Sequence, residues 1–295
     1  MAPGNFVRLD DRGILAVAGP DRRSFLQGLV SNDVAKVAAD RALYAALLTA
    51  QGRYLHDFIM IENDDAIWLD VERARLTDLR RRLSIYRLRA KVELDERADL
   101  AVAAVFGGGA LTALDLPAAR GAARGLAGGA LLVDPRLTEL GARAILPRDE
   151  LAATLSAAGL AEAEFAAYDR HRLALGVPDG SRDLVPEKSL LLESGFDELH
   201  GVDWQKGCYI GQELTARTKY RGLIKRRLFP VRIEGTAPPA GTMVMVDGKD
   251  AGELRSSCDG LGLALLRLDT LAEDVGFSAA AATLTPLPPD WLQTQ

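Results

Sequence analysis

A chain of 295 residues with 48% hydrophobic and 26% charged side chains has ordinary globular composition. Its 36 basic and 41 acidic residues leave a net charge of −5, which argues against a general nucleic-acid binder. Length and composition exclude a mainly disordered chain, a collagen and a long coiled coil, and they favour two or three domains over one.

Phe6, Val7 and Leu9, then residues 14–17, read as strands. Gly19-Pro20 is a turn signal and Asp21 a good N-cap. Phe25, Leu26, Leu29 and Val30 follow with helical spacing, and Ser31-Asn32-Asp33 should end that helix. Residues 44–49 have strand length, and Gln51-Gly52-Arg53 turns the chain. Residues 54–62 and 66–71 form a hairpin pattern around Asn63-Asp64-Asp65. A helix is expected over 72–83, with Leu76, Leu79 and Leu83 on one face, and strands over 92–94 and 100–106. Strands interrupted by a helix point to an α+β fold.

Residues 107–129 are rich in Gly and Ala and read as variable surface structure. Short strands are expected over 131–133 and 142–146, and helices over 150–158 and 162–175, the second stopping at Gly176 with Pro178 just beyond. Residues 176–211 have few periodic elements, and long ordered loops tend to be functional. From Leu228 the pattern changes to strands over 228–233, 242–246 and 261–268, separated by turn residues. The expected boundary therefore divides 1–227 from a small all-β domain over 228–295.

Two cysteines, Cys208 and Cys258, are too few for a disulfide scaffold, a four-thiolate zinc site or an iron–sulfur cluster held by one chain. They read as free thiols of a reducing compartment. The first ten residues show no basic segment followed by an apolar one, and no apolar run reaches the roughly 18 residues needed to span a bilayer. A soluble cytoplasmic protein with no membrane contact and no resident metal is expected.

The densest chemical constellation is Lys206-Gly207-Cys208-Tyr209-Ile210-Gly211-Gln212-Glu213. Its glycines let the backbone turn sharply and approach a ligand. Lys206 and a helix N-terminus near Gly211 would both favour the Cys208 thiolate. The alternative is a glycine-punctuated loop with Cys208 as a small buried hydrophobe. Trp204, just upstream, reads as a pocket wall or as aromatic core. A second feature is the basic run Arg217, Lys219, Arg221, Lys225, Arg226, Arg227, with no acidic residue among them. It reads either as a solvated face or as an anion site for phosphate, polyglutamate or RNA. His56-Asp57 is the third: adjacent strand residues point to opposite faces, so one would face a pocket and the other solvent. His56, His171 and His200 have no metal-site spacing.

The eight residues 206–213 resemble the K-G-C-Y-x-G-Q-E signature of the YgfZ-type proteins. The likeness continues through residues 214–222 and includes Pro186-Glu187 and the strand–turn–strand segment 47–57. Residues 25–34, Phe-Leu-Gln-Gly-Leu-Val-Ser-Asn-Asp-Val, are similar to that family's F-L-Q-G-x-x-[ST]-N-D-V. The family is related to the aminomethyltransferase of the glycine cleavage system, the T-protein. This resemblance implies an α+β, multi-domain ring with a ferredoxin-like domain and a C-terminal β-barrel, in which 1–227 forms two interleaved α+β domains.

The resemblance also implies tetrahydrofolate or a one-carbon derivative as ligand, held by Asn32, Asp57, Trp204, Gly207, Tyr209, Gly211, Gln212, Glu213 and Arg217. It implies an accessory role in assembling or repairing iron–sulfur clusters of client enzymes, tRNA-modifying radical enzymes among them, with client proteins or cluster carriers as partners. The alternative is a folate-dependent one-carbon transferase or demethylase. A weak RNA contact through Arg217 to Arg227 is a third reading, and a monomer is the default for a ring made within one chain. Cys208 would serve as cluster ligand, redox thiol or nucleophile, with Lys206 as its activator. Two departures from the T-protein matter. Ala174 stands where its R-x-E-A-G segment has a carboxylate, and His56-Asp57 replaces an Asp-Asp pair. Glycine-cleavage activity is therefore not expected.

Overall fold

The computed structural model describes residues 4–126, 128–222, 224–271 and 276–292. Of the terminal domain expected over 228–295, residues 272–275 and 293–295 lie outside the described ones. The chain forms two compact units. The first comprises Met1–Leu48, Leu55–Tyr168 and Leu199–Ile210; the second comprises Thr49–Tyr54, Asp169–Glu198 and Gly211–Gln295.

The first unit holds two sheets. One has the order Leu43–Leu48, Tyr54–Asn63, Ala66–Glu72, Arg12–Ala18, Glu93–Glu96. The expected hairpin is present: Asn63 pairs with Ala66 across a two-residue turn in which Asp64 has φ +50°. Such tight turns select Asp, Asn or Gly because they demand positive φ. One face of this sheet buries Leu15, Val17, Phe58, Met60 and Leu69. Helix Leu76–Arg87 contributes Leu76, Leu79 and Leu83 to the same core, and helix Arg22–Gln27 contributes Phe25 and Leu26.

The other sheet has the order Ala161–Glu162, Asn5–Arg8, Leu100–Phe106, Ala142–Pro147, Gly129–Val133, Ala123–Leu126. Here the reading of residues 107–129 as variable surface needs correction. Ala110, Leu114 and Leu116 lie in the core, and Ala123–Leu126 is an edge strand. Two glycines of this segment sit in close packing: a Cβ would lie 2.5 Å from the Ala42 carbonyl oxygen at Gly121, where φ is +73°, and 2.2 Å from the Ile145 carbonyl oxygen at Gly129.

The second unit is built on a closed barrel. Its strands run Arg226–Glu234, Leu261–Arg267, Lys249–Cys258, Met243–Val246, Phe277–Ala279, Ala282–Pro286 and back to the first. Phe229, Val231, Val244, Leu254, Leu266 and Phe277 fill it. The α+β class and the C-terminal barrel are as expected. No described helix is long and apolar enough to cross a membrane.

Candidate functional site

The motif over 25–34 and the first five residues of the cysteine signature, about 180 positions further along, form one structure within the first unit. Helix Arg22–Gln27 ends in a turn that Asp33 and Gln27 close: the Gln27 amide donates to Asp33 Oδ1 at 2.8 Å, and Gln27 Oε1 accepts from Val34 N at 2.8 Å. Segment 199–210 is stitched onto this turn. Ser31 Oγ donates to the Gly201 carbonyl at 2.5 Å, Asp203 N donates to the Ser31 carbonyl at 3.1 Å, and Ile210 N donates to the Gly28 carbonyl at 3.1 Å. Asp203 Oδ1 accepts from Gln205 N and Lys206 N, forming the tight turn before the cysteine, while Oδ2 pairs with Lys36. Short polar side chains bonding to backbone two or three residues on are what make such turns.

Lys206 locks this assembly. Its Nζ donates to the carbonyls of Gln27, Val30 and Asn32 at 2.8, 2.6 and 2.8 Å, and it lies 5.1 Å from the Tyr209 ring centroid. An ammonium has three N–H donors, and all three are used here. Burial pushes Lys206 down to about 8, against the pull of Asp33 and Asp203. The residue expected to activate Cys208 thus has no donor left for that thiolate. What it does in the structure is hold the loop that presents the cysteine. Cys208 itself is a free, exposed thiol, and a Cβ at neighbouring Gly207 would meet nothing within 4 Å. Tyr209 is buried and Trp204 half-buried.

Asn32 and Asp57 join this cluster through Tyr44. The Asn32 amide donates to the Tyr44 carbonyl at 2.7 Å and to the His200 carbonyl at 2.8 Å, and its Oδ1 accepts from Asp33 N. Tyr44 Oη donates to Asp57 Oδ2 at 2.8 Å. Burial and the Asp57 charge push the Tyr44 phenol well above its ordinary range, so it remains a donor. His56 and Asp57 do face opposite ways, but neither meets solvent. The helix Leu76–Arg87 covers the His56 side, where Nε2 lies 3.0 Å from Asp78 Oδ2.

Burial, reinforced by the Arg75 guanidinium, pushes the His56 imidazole down to about 4. In the unfolded chain it titrates near 6.5. Between those values the unfolded state binds the extra proton, so the stability this residue contributes is present above pH 6.5 and lost as pH falls toward 4. Acidification from pH 7 to pH 5 should cost about 2 kcal/mol through His56 alone. Urea unfolding at the two pH values should show that loss in the parent protein and not in His56→Asn; equal losses would refute it.

The remaining predicted residues lie in the second unit. Gly211 has φ +81° and starts helix Gln212–Tyr220, with Gln212 half-buried and Glu213 and Arg217 exposed. A Cβ on Gly52, in the Gln51-Gly52-Arg53 turn, would come 2.7 Å from the Gly211 carbonyl oxygen, so turn and helix start fit closely. The basic run is not one cationic face. Lys219 pairs with Asp197, and Arg227 pairs with Glu198 at 2.6 Å. Arg172 is buried among Asp169, Asp183 and Ser256, whereas Ala174 is exposed. Sequence reading missed Ser31, Gln27 and Asp203; the Asp203-x-x-Lys206 turn was the available signal. Among the described residues no three His, Cys, Asp or Glu side chains are grouped to hold a metal.

Residues 225–294 match the family described as CAF17, C-terminal beta-barrel domain. The human protein "Iron-sulfur cluster assembly factor IBA57, mitochondrial" is 36% identical, the match covering 97% of this chain and 85% of that one. Its mouse counterpart is 35% identical over the same shares. The chain belongs to the IBA57 family. Among solved structures, the glycine cleavage system aminomethyltransferase T of Bartonella henselae matches with TM-score 0.81 at 16% identity, covering 99% of this chain and 87% of that one. The fold is therefore of the aminomethyltransferase type. The YgfZ-type likeness rests on the motifs quoted above; the human and mouse relatives, matched over 97% of this chain, are IBA57 proteins.

The relatives are mitochondrial by name, which overturns the cytoplasmic location expected from composition. Free thiols and the lack of long apolar runs suit any reducing aqueous compartment and do not tell one from another. Tetrahydrofolate is implied by the likeness to the T-protein. Of the residues concerned, Asn32 uses both amide N–H groups internally, one Asp57 oxygen accepts the Tyr44 hydroxyl, and Ala174 offers no carboxylate to a pterin's N–H groups.

Proposed function

We propose that this chain is an iron–sulfur cluster assembly factor that holds a cluster transiently at Cys208. The observation that carries this reading is an exposed thiol on a loop fixed by three Lys206 hydrogen bonds. A [2Fe–2S] or [4Fe–4S] cluster is ordinarily held by four thiolates. Cys208 supplies one, and a partner protein or a small thiol supplies the others. An incomplete ligand set suits a carrier: the cluster can arrive from one partner and leave to another by thiolate exchange. The names of the relatives, iron–sulfur cluster assembly factors, support the same role. Lys206 acts as a positioning residue, setting the loop's geometry. No step passes through folate.

The test is anaerobic reconstitution with ferrous iron, sulfide and excess glutathione, followed by visible absorption and Mössbauer spectroscopy after desalting. The parent chain and Cys258→Ser should retain a cluster, and Cys208→Ser should lose about tenfold or more of it. Equal retention in Cys208→Ser, or none in the parent, would defeat the proposal.

A further inference from the structure

Four cationic side chains converge on one cavity of about 450 Å³ in the unit that carries the barrel. Arg53 comes from the Gln51-Gly52-Arg53 turn, Lys188 from the segment after Pro186, Arg226 from the first barrel strand, and Arg255 from strand Lys249–Cys258. Two carboxylates, Glu193 and Glu253, share the space, which leaves an excess of positive charge.

The internal pairing is incomplete. Glu253 Oε1 is engaged by Arg255 Nη1 at 2.8 Å, and Arg53 Nη1 donates to the Lys188 carbonyl at 2.8 Å. Arg226 lies 3.8 Å from Asp250, too far for a hydrogen bond. Among the described residues the Lys188 ammonium has no partner. The Arg255 side chain is 11% exposed, yet its Nε–H is buried without an acceptor among the described residues. Leaving such a donor unpaired is costly, more so for a charged group. Glu193 is half-buried and faces Arg53, Arg226 and Arg255; burial pushes its carboxyl up against the pull of those guanidiniums. It stands in the cavity as a resident counter-charge.

We infer that this cavity binds a small polyanion, a molecule carrying two or more carboxylate or phosphate groups. Guanidinium forks suit both groups because they donate two parallel N–H bonds. The volume falls in the range of small-molecule sites. A nucleic-acid strand would need a continuous cationic track, and the flanking Lys219 and Arg227 are already neutralised by Asp197 and Glu198. The site is independent of the cluster proposal and uses none of its residues.

Calorimetric titration of the full chain with pyrophosphate and, separately, with citrate tests this. At least one should bind saturably at one site per chain, more weakly as ionic strength rises. Arg226→Gln and Lys188→Gln, both at accessible positions, should each weaken binding about tenfold. Glu193→Gln should tighten it severalfold, because it removes the competing carboxylate. Thermal unfolding verifies that the variants are folded. Binding of pyrophosphate alone identifies a phosphate ligand, and of citrate alone a carboxylate ligand. No saturable binding of either, binding indifferent to Arg226 and Lys188, or weaker binding in Glu193→Gln would overturn the inference.

Discussion

Replacing Arg172 with leucine should lower the unfolding free energy by about 3–5 kcal/mol. Its guanidinium is 3% exposed and makes four bonds: Nε to Asp169 Oδ1 at 2.6 Å, Nη1 to Asp183 Oδ2 at 2.6 Å and to the Val177 carbonyl at 3.3 Å, and Nη2 to Ser256 Oγ at 3.0 Å. These tie helix Phe165–Ala174 and the segment after it to barrel strand Lys249–Cys258. The Asp183 side chain is fully buried, so removing Arg172 leaves its charge, among the described residues, with the Ser256 hydroxyl at 2.5 Å and the Asp179 N–H at 2.8 Å. An uncompensated buried carboxylate is what makes the loss large; the net worth of the ion pair is smaller. Lysine should not rescue it, since a point charge cannot reach the four acceptors that a planar fork spans. Arg182→Gln is the control: that side chain is 37% exposed, and the buried Asp169 it bonds keeps Arg172, so its loss should cost clearly less. Urea unfolding followed by circular dichroism reads all three variants. A cost for Arg172→Leu no greater than that for Arg182→Gln would contradict this account.

The same residue shows why part of the molecule escapes a sequence reading. Sequence comparison draws attention to Ala174, where a carboxylate is missing, and passes over Arg172, whose partner Ser256 lies 84 positions away. Local pattern serves well where burial is periodic. The face of Leu76, Leu79 and Leu83 is legible, although its helix begins four residues later than expected because Arg73–Arg75 forms a 3-10 turn. It fails on barrel strand Lys249–Cys258, where only Ala251 and Leu254 are buried apolar side chains and the register shifts between Leu254 and Ser256. A bulge breaks the alternation by which strands are recognised. In the candidate site, both motifs are legible as motifs. Their junction is not. Lys206 is two residues from Cys208, and proximity in sequence suggested activation, yet its ammonium bonds to carbonyls 174 to 179 positions away. Backbone acceptors carry no residue signature, so nothing in the sequence marks them.

Asp70→Asn should also cost about 3–5 kcal/mol, through a charge network buried between the two sheets of the first unit. Asp70 Oδ1 accepts from Arg12 Nε at 2.7 Å, and its backbone carbonyl accepts from Arg12 Nη2 at 2.6 Å. Asp70 Oδ2 and Arg143 Nη1 face each other at 3.6 Å, each without a hydrogen-bond partner among the described residues. Arg143 Nε is 3.6 Å from Asp134 Oδ2, and Asp134 is held by both arms of Arg136 at 2.9 and 2.8 Å. Burial works against the Asp134 carboxylate, but Arg136 and Arg143 hold it below its ordinary range. The Arg136 guanidinium lies 5.4 Å from the centroid of the Tyr44 ring, and Tyr44 in turn holds Asn32 and Asp57. Removing the Asp70 charge takes its counter-charge from Arg12 and disturbs Arg143, and that arginine leads through Asp134 and Arg136 to Tyr44, on which the Cys208 loop's anchor rests. Removing both ends of the first pair should be far milder, because apolar side chains of similar volume avoid the desolvation of two charges. Asp70→Leu with Arg12→Met should therefore be more stable than the sum of the single changes predicts, by about 2 kcal/mol. A double-mutant cycle in urea measures that coupling. Simple additivity would mean that the two charges do not depend on each other, and the network would then be ordinary packing around independent arginines.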